Sequence, residues 1–557
     1  MERGKEGDAA FRSSAQERSL SPGISQNRIG PAAGVSPQAR PVSPSSYEEI
    51  PYESEGIAET HPNHMAAIAA LFGIEAPDPA RCRLLELGCA RGDNVMAVAT
   101  TLAGASFLGI DGSPRQISDG ERRRAGAGLD NVRLLAADFT SIPEDLGEFD
   151  YVVCHGVYSW VPPETADLLL RLCRRHLTPG GIAYVSYNTY PGWHRKEMLR
   201  DMMGFHVRSL TRTSEKIEQA RAVLQFLARF AREEGGTHRA VFEMLARELA
   251  GAEDSHVFHD YLEEYNCPIY FTEFAERAAA AGLQYVGSAS AAAWDNNLPE
   301  EVASALGQLE NRIVREQYLD YLCNRTFRRS LLSRAGVPRS ELPDAGAVRA
   351  LFATANAWPA RAEPDVASDG PEEFVTHTGV RVTTNRPLMK AALAALARRA
   401  PGFLTFEELW EETRVLAGKG ASEASPQDLA PILLRCCLSG FLRLSLRPPP
   451  FSIRPSGRPR ASALARIQAA EDPRVTTLHH RTLRLEDVDR FVLSHCDGTR
   501  DRGDLVRILI SAVEREEFSL NDSDGLPVRD SERRRVFGGE AIEASLERLA
   551  EKALLME

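Results

Sequence analysis

A helix needs ~20 consecutive apolar residues to cross a bilayer, and no segment of these 557 residues approaches that. The opening residues, Met1 to Asp8, lack the apolar stretch of a secretory signal. Paired cysteine motifs are missing as well. The nine cysteines stand at 82, 89, 154, 173, 267, 323, 436, 437 and 496, with no CxxC among them. Such scattered thiols read as reduced core residues in a cytoplasmic protein, and no metal site is expected. A net charge of -12 argues against a chain that coats nucleic acid through its overall field. Two phosphate-binding signatures are also lacking. The turn Gly88-Cys89-Ala90-Arg91-Gly92-Asp93 has neither the second nor the last glycine of a GxGxxG fingerprint, and no Walker lysine accompanies it.

What is present implies several domains, because one hydrophobic core seldom serves a chain this long. Residues 1–46, rich in Ser, Pro, Gly, Ala and Arg, read as a disordered tail. Residues 47–205 then alternate short apolar strands with helices. Strands are expected at 82–87, 106–111, 132–138, 149–155 and 182–187, which predicts a parallel sheet covered on both faces. Residues 206–345 are expected to be a mainly helical domain and 346–373 a linker. Residues 374–456 read as a short strand, three helices and a strand, an order that suits a winged helix. Residues 457–557 read as a C-terminal helical domain. The predicted architecture is an α/β Rossmann-like domain, then a helical domain and winged-helix-like C-terminal parts.

The chemistry is expected at the carboxyl ends of the strands, where such sheets bind nucleosides. Gly88 and Gly92 allow backbone angles closed to other residues, and the next helix N-terminus suits a carboxylate. Asp111, ending the second strand, can accept both ribose hydroxyls. Asp138 and Phe139, ending the third, suit an adenine amino group and ring face, and His155 ends the fourth. Each acid could instead be a helix cap. Their arrival at successive strand ends points to a nucleoside ligand without pyrophosphate.

The run Glu86-Leu87-Gly88-Cys89, with Gly92, Asp111, Asp138 and Phe149-Asp150, resembles class I S-adenosylmethionine-dependent methyltransferases. The segments Ser46 to Tyr52, Thr60-His61-Pro62, His155 to Val161 and Ser186 to Trp193 resemble a bacterial branch carrying a methyltransferase regulatory domain. That branch is similar to outer-membrane-protein lysine methyltransferases. The likeness continues through Tyr265 to Phe271 and Asp497 to Asp501. One departure is Ala90, where the family usually has glycine. The resemblance implies S-adenosylmethionine as cofactor, held by Tyr52, His61, Glu86, Gly88, Cys89, Gly92, Asn94, Asp111, Gly112, Asp138, Phe139 and His155. It implies in-line methyl transfer to protein lysine, with His155, Tyr158 and Tyr187 as catalytic candidates. Tyr158, Trp160, Tyr190 and Trp193 would line the substrate pocket. Tyr52 and His61 could form a lid, or His61-Pro62 could only start a helix.

Other acceptors stay open, because one fold serves many. A small-molecule acceptor is possible. A base-amino acceptor lacks its Asn/Asp-Pro-Pro-Tyr tetrad after strand four. A winged helix with Arg447, Arg454, Arg458, Arg460 and Arg466 could touch a phosphate backbone, though the acidic whole disfavours nucleic acid. The helical middle region has amphipathic surface enough for a homodimer.

Overall fold

A computed structural model describes residues 49–50, 54–143, 145–231, 237–290, 298–517 and 530–556. The expected tail at 1–46 and the lid residue Tyr52 lie outside these. The described chain forms two compact units, residues 197–262 in one and residues up to 196 with 263 onward in the other. The smaller unit is helical, with helices Thr213–Phe230, Thr237–Leu249 and Asp254–Tyr261. Arg221 ties them by donating to the Leu249 carbonyl (3.0 Å) and pairing with Asp254 (3.0 Å).

The larger unit is built on a seven-stranded sheet. Its strands are β1 (Arg83–Leu87), β2 (Ser106–Asp111), β3 (Val132–Ala136), β4 (Phe149–Cys154), β5 (Leu177–Asn188), β6 (Leu283–Ser288) and β7 (Phe327–Arg334). Their spatial order is β3-β2-β1-β4-β5-β7-β6. The first five run parallel, and β7 is antiparallel to both β5 and β6. Helices α1 (Pro62–Leu71), α2 (Asp93–Thr101), α3 (Pro114–Ala127) and α4 (Pro163–His176) precede or link these strands.

Because strand side chains alternate, the sheet separates two apolar layers. Leu84, Tyr151, Val153 and Tyr184 pack with α1 and α2 on one face. Leu85, Leu87, Val152, Cys154 and Tyr187 pack with α4 and helix Phe271–Ala280 on the other.

The boundary expected at residue 205 is not where the sheet ends, since β6 and β7 come from the region expected to be helical. Strand β7, Phe327-Arg328-Arg329-Ser330-Leu331-Leu332-Ser333-Arg334, reads as polar in one dimension. Its Arg328 is nonetheless buried, because helix Arg312–Cys323 supplies two carboxylates. Nε of Arg328 donates to Asp320 (2.7 Å) and Nη1 to Glu316 (3.0 Å).

The three helices expected after residue 374 appear at Pro387–Arg399, Phe406–Ala417 and Pro426–Leu438. The strand that follows, Leu442–Ser445, pairs with Phe352–Ala355. Part of the expected linker is therefore sheet. Its loop 365–370 is also packed, because buried Lys390 donates to the carbonyls of Asp365, Ser368 and Gly370 at 2.7–2.8 Å. Residues 460–556 enclose a separate core around Leu493, Leu509 and Leu546. This part adds two short antiparallel pairs to the expected helices, Arg474–Thr476 with Thr482–Arg484 and Arg460–Ala461 with Leu555–Met556.

Candidate active site

The turn after β1 is shaped by alternate left-handed residues. Gly88, Ala90 and Gly92 have φ of 76°, 50° and 83°. A Cβ on Gly88 would lie 2.3 Å from Val157 Cγ2, so glycine is demanded by space as well as by angle. Ala90 holds an angle that costs an L-residue roughly 1–2 kcal/mol. What holds it is Asp111, whose Oδ2 accepts from the Ala90 amide (2.8 Å) while Oδ1 accepts from the Ser113 amide (2.9 Å). The acid at the end of β2 is thus clamped across the mouth of the turn. Gly112 beside it is exposed. Cys89 is buried beneath the turn, where burial and Asp111 push its thiol well above the ordinary range. It is a packing residue.

Glu86 lies on the α1/α2 face of β1. One oxygen accepts from Asn94 Nδ2 (2.7 Å), and the other is buried without a protein partner. Burial raises the carboxyl to about 8. The folded state therefore holds a proton that the unfolded chain releases near pH 4.5. Stability from this group is complete below that pH and is lost as pH rises toward 8. Without ligand, the protein should lose on the order of 3 kcal/mol across that window. Glu86→Gln should flatten this dependence, and urea unfolding at pH 5 and 8 measures it. An equal pH slope in the variant would show that Glu86 is not its source.

Asp138 caps the turn Phe139–Ser141 by accepting from the Thr140 amide (2.8 Å), and Phe139 is half-buried at the same edge. His61 also caps a helix, its Nδ1 accepting from the Asn63 amide (3.2 Å) and its Nε2 meeting Thr101 Oγ1 (2.9 Å). The segment that reaches the turn lies just before it. Ser54 Oγ accepts from the Asp93 amide (3.2 Å), and the Ile57 amide and Thr60 hydroxyl both donate to Asn94 Oδ1.

The catalytic candidates divide between the two faces of the sheet. His155 continues the Tyr151/Val153 face, with Nδ1 2.9 Å from Tyr184 Oη and 3.3 Å from Ser186 Oγ. Burial, followed by Arg329, lowers it to about 4, so its imidazole is neutral at pH 7. Tyr158 and Tyr187 lie in the opposite apolar layer around Phe274, which stacks on Tyr187 at 3.9 Å. Both are almost fully buried, and Tyr187 Oη meets Ser330 Oγ at 3.0 Å. The two tyrosines are core residues on the far side from His155. The period-two alternation of β5 separates Tyr187 from Ser186.

Beyond β4 and β5 the aromatics do gather. Trp160 meets Trp193 edge-on at 6.2 Å, and Tyr190 stacks on His194 at 4.1 Å. Tyr270 adds a third wall, 5.2 Å from Tyr190, and Tyr321 follows it at 6.1 Å. The Lys196 ammonium sits over the Trp193 ring at 4.6 Å. Tyr270 and Tyr321 were missed among the pocket candidates. Tyr270 belongs to the motif Tyr265 to Phe271, whose Cys267 amide donates to the Ser159 carbonyl (2.7 Å) and whose Ile269 amide donates to that of Asn188 (3.1 Å). Only that long-range pairing brings it to the site.

Comparison with known proteins gives the geometry its context. The family described as "Methyltransferase domain" matches residues 84–181, and "Predicted methyltransferase regulatory domain" matches 253–334. "PKMT, C-terminal winged helix domain" matches 457–554, beyond the 374–456 segment read above as a winged helix. A Rickettsia prowazekii protein, RP789, is 30% identical over 521 residues, spanning 92% of this chain and 93% of its own length. The solved structure of PKMT2 from Rickettsia typhi in complex with AdoHcy superposes with a TM-score of 0.81 at 29% identity. That match covers 91% of this chain and all of that one. This chain belongs to the class I S-adenosylmethionine-dependent methyltransferases with a regulatory domain. The methyltransferase uses S-adenosylmethionine as its methyl donor. Its regulatory segment supplies β6 and β7, so in this methyltransferase that region is part of the catalytic sheet. Among its described residues no helix is long and apolar enough to cross a membrane.

Proposed function

We propose that this methyltransferase modifies lysine side chains of a protein. The observation that carries the reading is the Lys196 ammonium resting on the Trp193 ring, which Trp160 meets edge-on. A rim that holds one lysine by cation–π attraction suits another. The likeness to PKMT2, a protein lysine methyltransferase, supports it over 91% of the chain.

The residues present suit the donor. Asp111, fixed by hydrogen bonds from two backbone amides, presents its carboxylate to ribose hydroxyls. The unpartnered oxygen of Glu86 suits the methionine ammonium, and Asp138 with Phe139 suits adenine. Bound there, S-adenosylmethionine supplies an already activated methyl on its sulfonium. The protein then needs to align the acceptor and exclude water. A lysine amine must first lose a proton, and an apolar aromatic rim favours the neutral form. His155, lowered to about 4, is too weak a base to take that proton, so its part is to orient the substrate by hydrogen bonding.

Cys82, Cys89, Cys154, Cys173, Cys436, Cys437 and Cys496 are buried thiols, which suits a cytoplasmic location. Exposed Phe205, Phe226 and Phe230 on the smaller unit support a homodimer, tested by light scattering.

The deciding experiment transfers labelled methyl from the donor into cell lysate, separated into protein, nucleic-acid and small-molecule fractions. Label should enter protein and appear as methyl-lysine after hydrolysis. Label confined to the small-molecule fraction would sink the proposal.

A further inference from the structure

The most connected side chain near the cofactor turn is Asn94, in the first turn of α2. Its Nδ2 donates to Glu86 (2.7 Å). Its Oδ1 faces three groups from two distant parts of the chain: the Ile57 amide (2.9 Å), the Thr60 hydroxyl (3.1 Å) and His480 Nε2 (2.8 Å). An amide oxygen has two lone pairs and no proton, so the Ile57 amide and His480 Nε2 must donate to it, while the Thr60 hydroxyl shares its one proton with the Ile57 carbonyl (2.8 Å). His480 therefore carries its proton on Nε2, leaving Nδ1 buried without a protein partner.

His480 is held in place at some cost. It lies in the loop joining strands Arg474–Thr476 and Thr482–Arg484, with φ of 58°, in a region seldom used by non-glycine residues. The loop is tied down by its own bonds, His480 amide to Thr477 carbonyl (2.9 Å) and Leu478 amide to Ala553 carbonyl (2.9 Å). The same hairpin grips the segment before α1. The Gly56 amide donates to Thr482 Oγ1 (3.1 Å), and a Cβ on Gly56 would lie 2.4 Å from the Thr476 methyl. Arg123 of α3 links Asp93 of the turn to Glu471, just before the hairpin.

We propose that His480, from the C-terminal winged-helix region, is a positioning residue for the methyl donor, acting through Asn94 and Glu86. The physical reason lies in the symmetry of an amide. Asn94 could place either its oxygen or its NH2 toward Glu86. Only the cluster of donors on the opposite side compels the NH2 to face the carboxyl. Removing His480 weakens that bias, and Glu86 loses the partner that sets its direction. The donor site is thus completed by a domain almost four hundred residues downstream of Glu86 in sequence, and the methyltransferase sheet alone would bind the donor poorly. This rests on the reading that residues 86–94 and Asp111 hold the donor.

The test is isothermal titration of the full-length protein with S-adenosylhomocysteine, alongside steady-state kinetics on the labelled-methyl assay. His480→Ala should weaken binding roughly 5- to 20-fold, the effect of one lost buried hydrogen bond with an orphaned partner. KM for the donor should rise in step while kcat changes little. His480→Gln, whose amide can reach as Nε2–H does, should return affinity to within a few-fold of wild type. Unchanged affinity in His480→Ala overturns the proposal. So does equal loss in both variants with a matching fall in melting temperature, which marks His480 as structural only. Failure of the wild type to bind, by contrast, overturns the underlying reading of the donor site.

Discussion

Asp111→Ala should abolish the measurable heat of S-adenosylhomocysteine binding. The carboxylate is proposed to accept from both ribose hydroxyls, and hydrogen bonds to a charged group contribute about 1.5–3 kcal/mol each. Losing two corresponds to at least a hundredfold in affinity. A second effect adds to the first. Asp111 accepts from the Ala90 and Ser113 amides, so its removal frees the left-handed residue at the centre of the turn. Asp111→Asn keeps one acceptor oxygen and should fall between wild type and Ala. Titration at constant ionic strength measures all three, with circular dichroism to confirm folding. Wild-type affinity in Asp111→Ala would remove Asp111 from the donor site.

The largest loss of stability is expected from Arg328→Ala. Arg328 is buried in β7 with its guanidinium over the Phe271 ring at 3.6 Å, and it bonds both Asp320 and Glu316. Asp320 also accepts from Arg325 (2.6 Å), and Glu316 from Tyr285 (2.7 Å). Deleting the central cation leaves Arg312 and Arg325 to balance Glu316 and Asp320, and strips both buried carboxylates of the hydrogen bonds Arg328 gave them. Breaking such a pair from one side costs about 3–5 kcal/mol. Arg328→Lys restores charge without the planar fork, so it should recover only part. The Glu316 carboxyl is held below its ordinary value, with Arg328 and then Arg312 as the lowering charges. Its share of stability is present above the unfolded pKa near 4.5 and is lost as pH falls through the depressed folded value. The deficit of Arg328→Ala should therefore shrink in acid. Urea unfolding at pH 7 and pH 4 tests both points, and an equal deficit at the two pH values would refute the charge argument. Activity should fall too, because the neighbours Phe327 and Arg329 sit on the His155 face.

These two residues differ in how plainly the sequence announced them. Asp111 ends an apolar strand, nineteen residues after a glycine turn, and local pattern suffices to find it. Arg328 sits in a segment whose three arginines hide a strand, since a binary pattern assumes that charges face water. Only the carboxylates of the preceding helix make that burial possible. Tyr158 and Tyr187 show the opposite failure. Their type and position suit a pocket, but alternation along β5 and the stacking of Phe274 assign them to the core.

The sequence by itself determined the parallel half of the sheet, the donor class and the acids at the strand ends. Each of those depends on residues close together in the chain, where period and turn chemistry are readable. Tertiary structure alone decided the last two strands, the side of the sheet on which His155 lies, and the placing of Tyr270 beside Tyr190 and of His480 beside Asn94. Those are pairings across tens to hundreds of residues. They are set by which buried charges and amides find partners, and no local pattern records that.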